Sequence, residues 1–84
     1  MNLTGKCKEE FEAWLDGQEG TYDLLQKFAS EKEYAIYVET MNEGGYRSVV
    51  ESPGSQTTYG SSVQTVPEAQ TDVESLFNTV FNAA

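Results

Sequence analysis

Ser30-Glu31-Lys32-Glu33-Tyr34-Ala35-Ile36-Tyr37-Val38-Glu39-Thr40-Met41-Asn42-Glu43-Gly44-Gly45 can be built into a helix or a strand, and the architecture differs with the choice. Its composition argues for a strand. Residues 34–38 are rich in the aromatic and β-branched side chains that suit a pleated, half-buried surface. With Asn42-Glu43-Gly44-Gly45 as a turn, they would pair with residues 46–51 in a hairpin. Its periodicity argues for a helix. Ser30-Glu31-Lys32-Glu33 matches a capping box. Tyr34, Tyr37, Val38 and Met41 recur at i, i+3, i+4 and i+7. Gly44-Gly45 supplies a C-terminal stop. The helical reading has more in its favour, and the strand is the alternative. On the helical reading Ile36 points away from the apolar stripe, among Lys32, Glu39 and Glu43. Unless another element covers it, it is an exposed apolar contact.

Downstream the pattern is β, then helical. Residues 46–52 read as a strand ended by Pro53-Gly54. Residues 56–64 read as a second strand, weakened at Gly60, where a bulge would fit. Two strands are marginal alone, so helices must cover one face of this antiparallel hairpin. A last helix is predicted from near Pro67, whose missing N–H costs nothing in a first turn. Val66, Ala69, Val73, Leu76, Phe77 and Val80 form its apolar stripe. Glu68 and Asp72 lie early, where the helix dipole favours acids. Thr71, Ser75, Asn78 and Thr79 form a polar, sparsely charged side available to a partner. Residues 82–84 are expected to fray.

Upstream, a first helix is predicted from Gly5 to Asp16 with Thr4 as N-cap. Cys7, Phe11, Trp14 and Leu15 make one apolar stripe, and Glu9, Glu12 and Asp16 fall on the opposite side. Gly17 and Gly20 interrupt it. A second, shorter helical segment spans residues 22–28, capped by Thr21, with Asp23 in its first turn and Leu24, Leu25 and Phe28 facing inward. At 84 residues the chain is one small domain. The expected fold class is α+β: two or three N-terminal helices, a β-hairpin or small antiparallel sheet, and a C-terminal amphipathic helix around one core.

The charge is lopsided, with Asp+Glu 14 against Lys+Arg 5, a net charge of −9, and no histidine. Lys6, Lys8, Lys27, Lys32 and Arg47 are the only cations. Nucleic-acid affinity comes largely from cations that displace phosphate counterions, so direct binding to DNA or RNA is disfavoured. Anionic membrane surfaces are disfavoured for the same reason. No window reaches the ~18 apolar residues of a membrane span. The first eight residues lack an apolar signal segment. A single cysteine forms no internal disulfide and suits a reducing compartment, so the expected location is the cytoplasm.

Reactive constellations are missing from the sequence. With no histidine and one cysteine, a structural zinc site has no ligand set. The segment from Asp16 has a faint calcium-loop look. It fails where a bidentate Glu would be needed, which is Lys27, and where a glycine would be needed, which is Thr21. Cys7 has no histidine to deprotonate it and begins an apolar stripe, so it reads as a core residue. The carboxylate pairs Glu9/Glu12 and Glu31/Glu33 have the phase of solvated helix faces. The expectation is a non-enzyme with no cofactor and no metal. What remains is an acidic face, formed by Glu9, Glu12, Asp16, Glu19 and Asp23, with Ile36, Glu39 and Glu43 as further contacts. Its bland reading is solubility. Its sharper reading is docking on a basic partner, such as a nucleic-acid-binding protein whose phosphate sites accept carboxylates.

The stretch Leu3-Thr4-Gly5-Lys6-Cys7-Lys8-Glu9-Glu10-Phe11-Glu12-Ala13-Trp14 resembles the opening of a loose set of small phage and prophage proteins of unknown function. Glu33-Tyr34-Ala35-Ile36-Tyr37-Val38-Glu39 resembles their second helix, which is followed by glycine and a strand. The amphipathic ending is similar in kind, although the Gly-Gly turn and the lysine-free final helix depart from the set. The resemblance implies a helix over residues 30–43 and a phage or mobile-element setting, and it transfers no functional residue. The expected function is therefore a phage accessory or anti-defence protein that docks on a basic host protein in the host cytoplasm. The alternative is a self-associating structural component that shares its C-terminal helix face between copies.

Overall fold

The computed structural model describes residues 2–15 and 21–84. They form α1 (Gly5–Leu15), α2 (Tyr22–Glu31), β1 (Ala35–Thr40), β2 (Tyr46–Ser52), β3 (Gln56–Val63) and α3 (Val66–Ala83). The fold is α+β, with an antiparallel sheet in the order β1-β2-β3.

The helical reading of residues 30–45 is corrected. Ser30 and Glu31 end α2 instead of beginning a new helix. The chain leaves the helix through Glu33, whose φ is +67°. The Tyr34 N–H donates to the Ala29 carbonyl at 2.8 Å, which closes the helix end around this left-handed residue. Residues 35–40 then become β1, pairing Ile36 with Val50 and Tyr37 with Val49. A helix over this segment would satisfy its own backbone and leave one edge of β2 open. The strand satisfies both and splits the residues by alternation. Ile36 faces the helices at 5% exposure, so it is a core residue and not a surface contact.

The remaining elements follow their patterns. Thr21 caps α2, its hydroxyl accepting the Leu24 N–H at 3.4 Å. Cys7, Phe11 and Leu15 of α1 and Leu25, Phe28 and Ala29 of α2 are buried. α3 buries Ala69, Val73, Phe77 and Phe81, and leaves Val66 exposed. Its start is a capping box: the Thr65 hydroxyl accepts the Glu68 N–H and donates to the Glu68 carboxylate. β2 and β3 form the expected hairpin, with a register shift between Arg47 and Val49 that sets Gly60 and Ser61 against Ser48. That is the bulge expected at Gly60.

α3 is the central layer. It packs on all three strands with one side, and α1 and α2 lie against it. α1 touches only α2 and α3. α2 also flanks β1, where the Gln26 side-chain amide donates to the Ile36 carbonyl at 3.0 Å.

The two ends of the chain are joined by α3's polar side, which is not free for a partner along its length. The Cys7 N–H donates to Asn82 Oδ1 at 2.8 Å, and Asn82 Nδ2 donates to the Thr4 carbonyl at 2.9 Å. The Thr4 N–H donates to Asn78 Oδ1 at 2.8 Å. The start of α1 is thus capped across the fold by α3, while the Thr4 hydroxyl accepts from Asn78. Asn82 lies inside the helix and does not mark a frayed end. Asn82→Ala leaves the part-buried Cys7 N–H without its partner, and should cost about 1–3 kcal/mol. Thermal melts by circular dichroism read this as a fall of roughly 4–8 °C per kcal/mol for a domain of this size. A melt unchanged from the parent would show that this junction contributes nothing.

Candidate functional site

The sheet has two unlike faces. Ile36, Ser48 and Val50 point toward the helices; Tyr37, Glu39, Arg47, Val49, Glu51 and Tyr59 point the other way. No described helix covers this outer face. Tyr37, Val49 and Tyr59 stand in one cross-strand row. Val49 is 0% exposed although it lies outside the helix-facing core, and it stands between Tyr37 and Tyr59 in that row. Tyr59 is 52% exposed.

This face carries one ion pair and one carboxylate bonded to a phenol. Arg47 is ion-paired with Glu39, its neighbour across the strands. Its guanidinium sits 4.0 Å from the centre of the Tyr59 ring. The Tyr37 hydroxyl donates to Glu51 Oε2 at 2.5 Å. That bond to a carboxylate, with burial and the Glu51 and Glu39 charges, pushes the Tyr37 phenol up to about 12. Two tyrosines and a stacked arginine form a surface suited to recognition. Arg47, Glu39, Tyr37 and Glu51 in it are already bonded to one another in pairs.

The residues predicted from the sequence are dispersed. Glu9 and Glu12 are exposed on α1, with Glu12 3.8 Å from Lys8. Asp23 is exposed in the first turn of α2, and Glu43 in the turn between β1 and β2. Glu39 belongs to the outer sheet face, paired with Arg47. Ile36 is in the core. Asp16 and Glu19 lie outside the described residues, as does most of the calcium-like segment. α1 does not touch the sheet, so Glu9 and Glu12 do not share a surface with Glu39. Tyr37, Arg47 and Tyr59 were missed because the outer face exists only once residues 35–40 are a strand. Their signal was the alternation Tyr37/Glu39 and Arg47/Val49/Glu51.

Cys7 is the one thiol and it is fully buried. Burial first, then the Glu10 charge, raise it from 9.0 to about 11, against a smaller opposing effect of Lys6. The folded state therefore holds the proton where the unfolded chain releases it. Stability from this group is present below pH 9.0 and is lost as pH rises toward about 11. Urea unfolding should show this loss in the parent and a smaller one in Cys7→Ala. An identical decline in both would contradict it.

No protein-family model matches the chain, and neither a curated protein nor a solved structure shows significant similarity to it.

Proposed function

We propose that this chain works by binding a basic protein, with its acidic surface steering the encounter, and that it carries out no reaction of its own. One observation supports the reading: four of its five cations are engaged by its own groups, while many of its acids are not. Lys8 lies beside Glu12, Lys32 is bonded to Glu10, and Arg47 is paired with Glu39. Lys6 donates to the Ala84 carbonyl and sits over the Phe81 ring. By contrast Glu9, Asp23, Glu31, Glu33 and Glu43 are exposed and join no ion pair among the described residues. Among the described residues, the exposed charge that joins no ion pair is therefore mostly negative. Such a field raises the encounter rate with cationic surfaces and repels anionic ones.

The chemistry favours a partner whose own ligand is a nucleic acid, since exposed carboxylates can occupy sites built for phosphates. In the phage setting that the sequence resemblance implies, that partner is a host factor and the chain an accessory or anti-defence protein. Contact energy comes from Tyr37 and Tyr59 of the sheet face, in place of the buried Ile36.

The test is affinity capture from bacterial lysate on the immobilised chain, at about 50 mM and about 500 mM salt. Basic proteins should be retained at the lower salt, released at the higher, and displaced by added duplex DNA. Retention of no basic protein at low salt, or retention indifferent to salt, overturns the reading.

A further inference from the structure

The two edges of the sheet are treated differently. The β1 edge is flanked by α2, and Gln26 occupies the Ile36 carbonyl. β3 is the other edge, and no described strand pairs with its outer side. Residues 52–67, which contain β3 whole, carry no Asp, Glu, Lys or Arg. Edge strands are ordinarily guarded by a lysine, an inward charge, a proline or a bulge. β3 has only the bulge at Gly60 and Ser61, which leaves Gln56, Thr57, Thr58 and Tyr59 in regular pairing with β2.

We infer that the β3 edge pairs antiparallel with β3 of a second copy of this chain, joining two three-stranded sheets into one of six strands. This is separate from docking on a basic protein and does not rest on it. The strand's self-complementarity selects a second copy as the occupant, and the charge pattern places the contact at this edge. Two chains of net charge −9 repel wherever their acids approach, which disfavours contact through α1 with Glu9 and Glu12. Across a β3–β3 contact the nearest acids on the sheet are the Glu51 pair, one on each β2. At about 4.8 Å per strand spacing they are about 14 Å apart. That exceeds the screening length of about 8 Å at physiological salt. An antiparallel strand is also its own complement about a two-fold axis, so one edge supplies both sides of the interface. A two-fold through Thr58 sets Thr57 opposite Tyr59 of the second copy, on the outer face. It would extend the Tyr37–Val49–Tyr59 surface across both protomers.

The interface is small, so its dissociation constant should be on the order of 100 μM. Light scattering should show the mass rising with concentration from 9.3 kDa toward twice that value. Added salt should strengthen the association, the opposite of its effect on docking to a basic protein. Hydrogen exchange should show the outward-pointing amides of this stretch, every second one among residues 56–59, gaining protection as concentration rises. Thr57→Glu with Tyr59→Glu brings carboxylates together across the two-fold, and should hold the mass at 9.3 kDa in a chain that still melts cooperatively. If that variant fails to fold, the exchange measurement on the parent decides. A monomer at every concentration up to about 1 mM overturns the inference. So does association that leaves those outward-pointing amides as unprotected as in the monomer.

Discussion

Phe28→Ala is expected to bring the native state close to unfolding at room temperature. Phe28 is 0% exposed and its ring joins three helices. It lies 5.2 Å from Phe11 and 5.8 Å from Trp14 of α1, and 6.3 Å from Phe77 and 5.7 Å from Phe81 of α3. Removing a buried phenyl ring costs about 3–5 kcal/mol, through lost transfer energy and the cavity left behind. Domains of this length are stable by about 4–13 kcal/mol in all. The loss is therefore a large part of the total. Near-ultraviolet dichroism should fall, and Trp14 fluorescence should move toward that of the unfolded chain. Phe28→Leu keeps much of the apolar volume and should lose less. A fall of only a few degrees in the melting temperature of Phe28→Ala would show that α1 and α3 do not depend on this ring.

Gly60→Ala should cost about 2–4 kcal/mol, a large effect for one methyl group. The Ser48 hydroxyl, fully buried on the inner face of β2, donates to Asp72 Oδ2 of α3 at 2.7 Å. A Cβ at position 60 would stand 2.0 Å from both of these oxygens. The methyl group and the hydrogen bond therefore cannot coexist. Alanine forces the half-buried carboxylate to turn and leaves the buried hydroxyl unsatisfied. The two costs share one contact, so they should not add. In a Ser48→Ala background, Gly60→Ala should cost less than half of what it costs in the parent, by urea unfolding. Additivity within error would contradict this role for the glycine.

The helical part of the fold was legible because each helix carries its own apolar stripe. Cys7, Phe11 and Leu15 lie on one side of α1, and Val73 and Phe77 lie on one side of α3. Gly60 was legible as a bulge because a glycine weakens a regular strand and is kept where the ladder bends or another group comes close. Residues 35–40 misled for two physical reasons. The helix before them ends at a left-handed Glu33, where a glycine would have marked the stop. Their apolar residues also fit both periods, and the choice is made by pairing with β2, which no local window contains. The Asn82 to Cys7 bond joins residues 75 positions apart, so nothing local announces it. The surface was legible as a quantity of charge. Its placement was not, because Glu9 and Glu12 lie on a helix that never meets the sheet bearing Glu39.

The most direct test of acidic docking is capture of basic proteins by the parent chain and by Glu9→Lys/Glu12→Lys, side by side at low salt. Both positions are exposed on α1, so the variant should keep the parent's circular dichroism while its net charge rises from −9. Docking through the acidic surface predicts that the variant retains far less of each basic protein, and that added salt narrows the difference. Equal retention by both chains would contradict it.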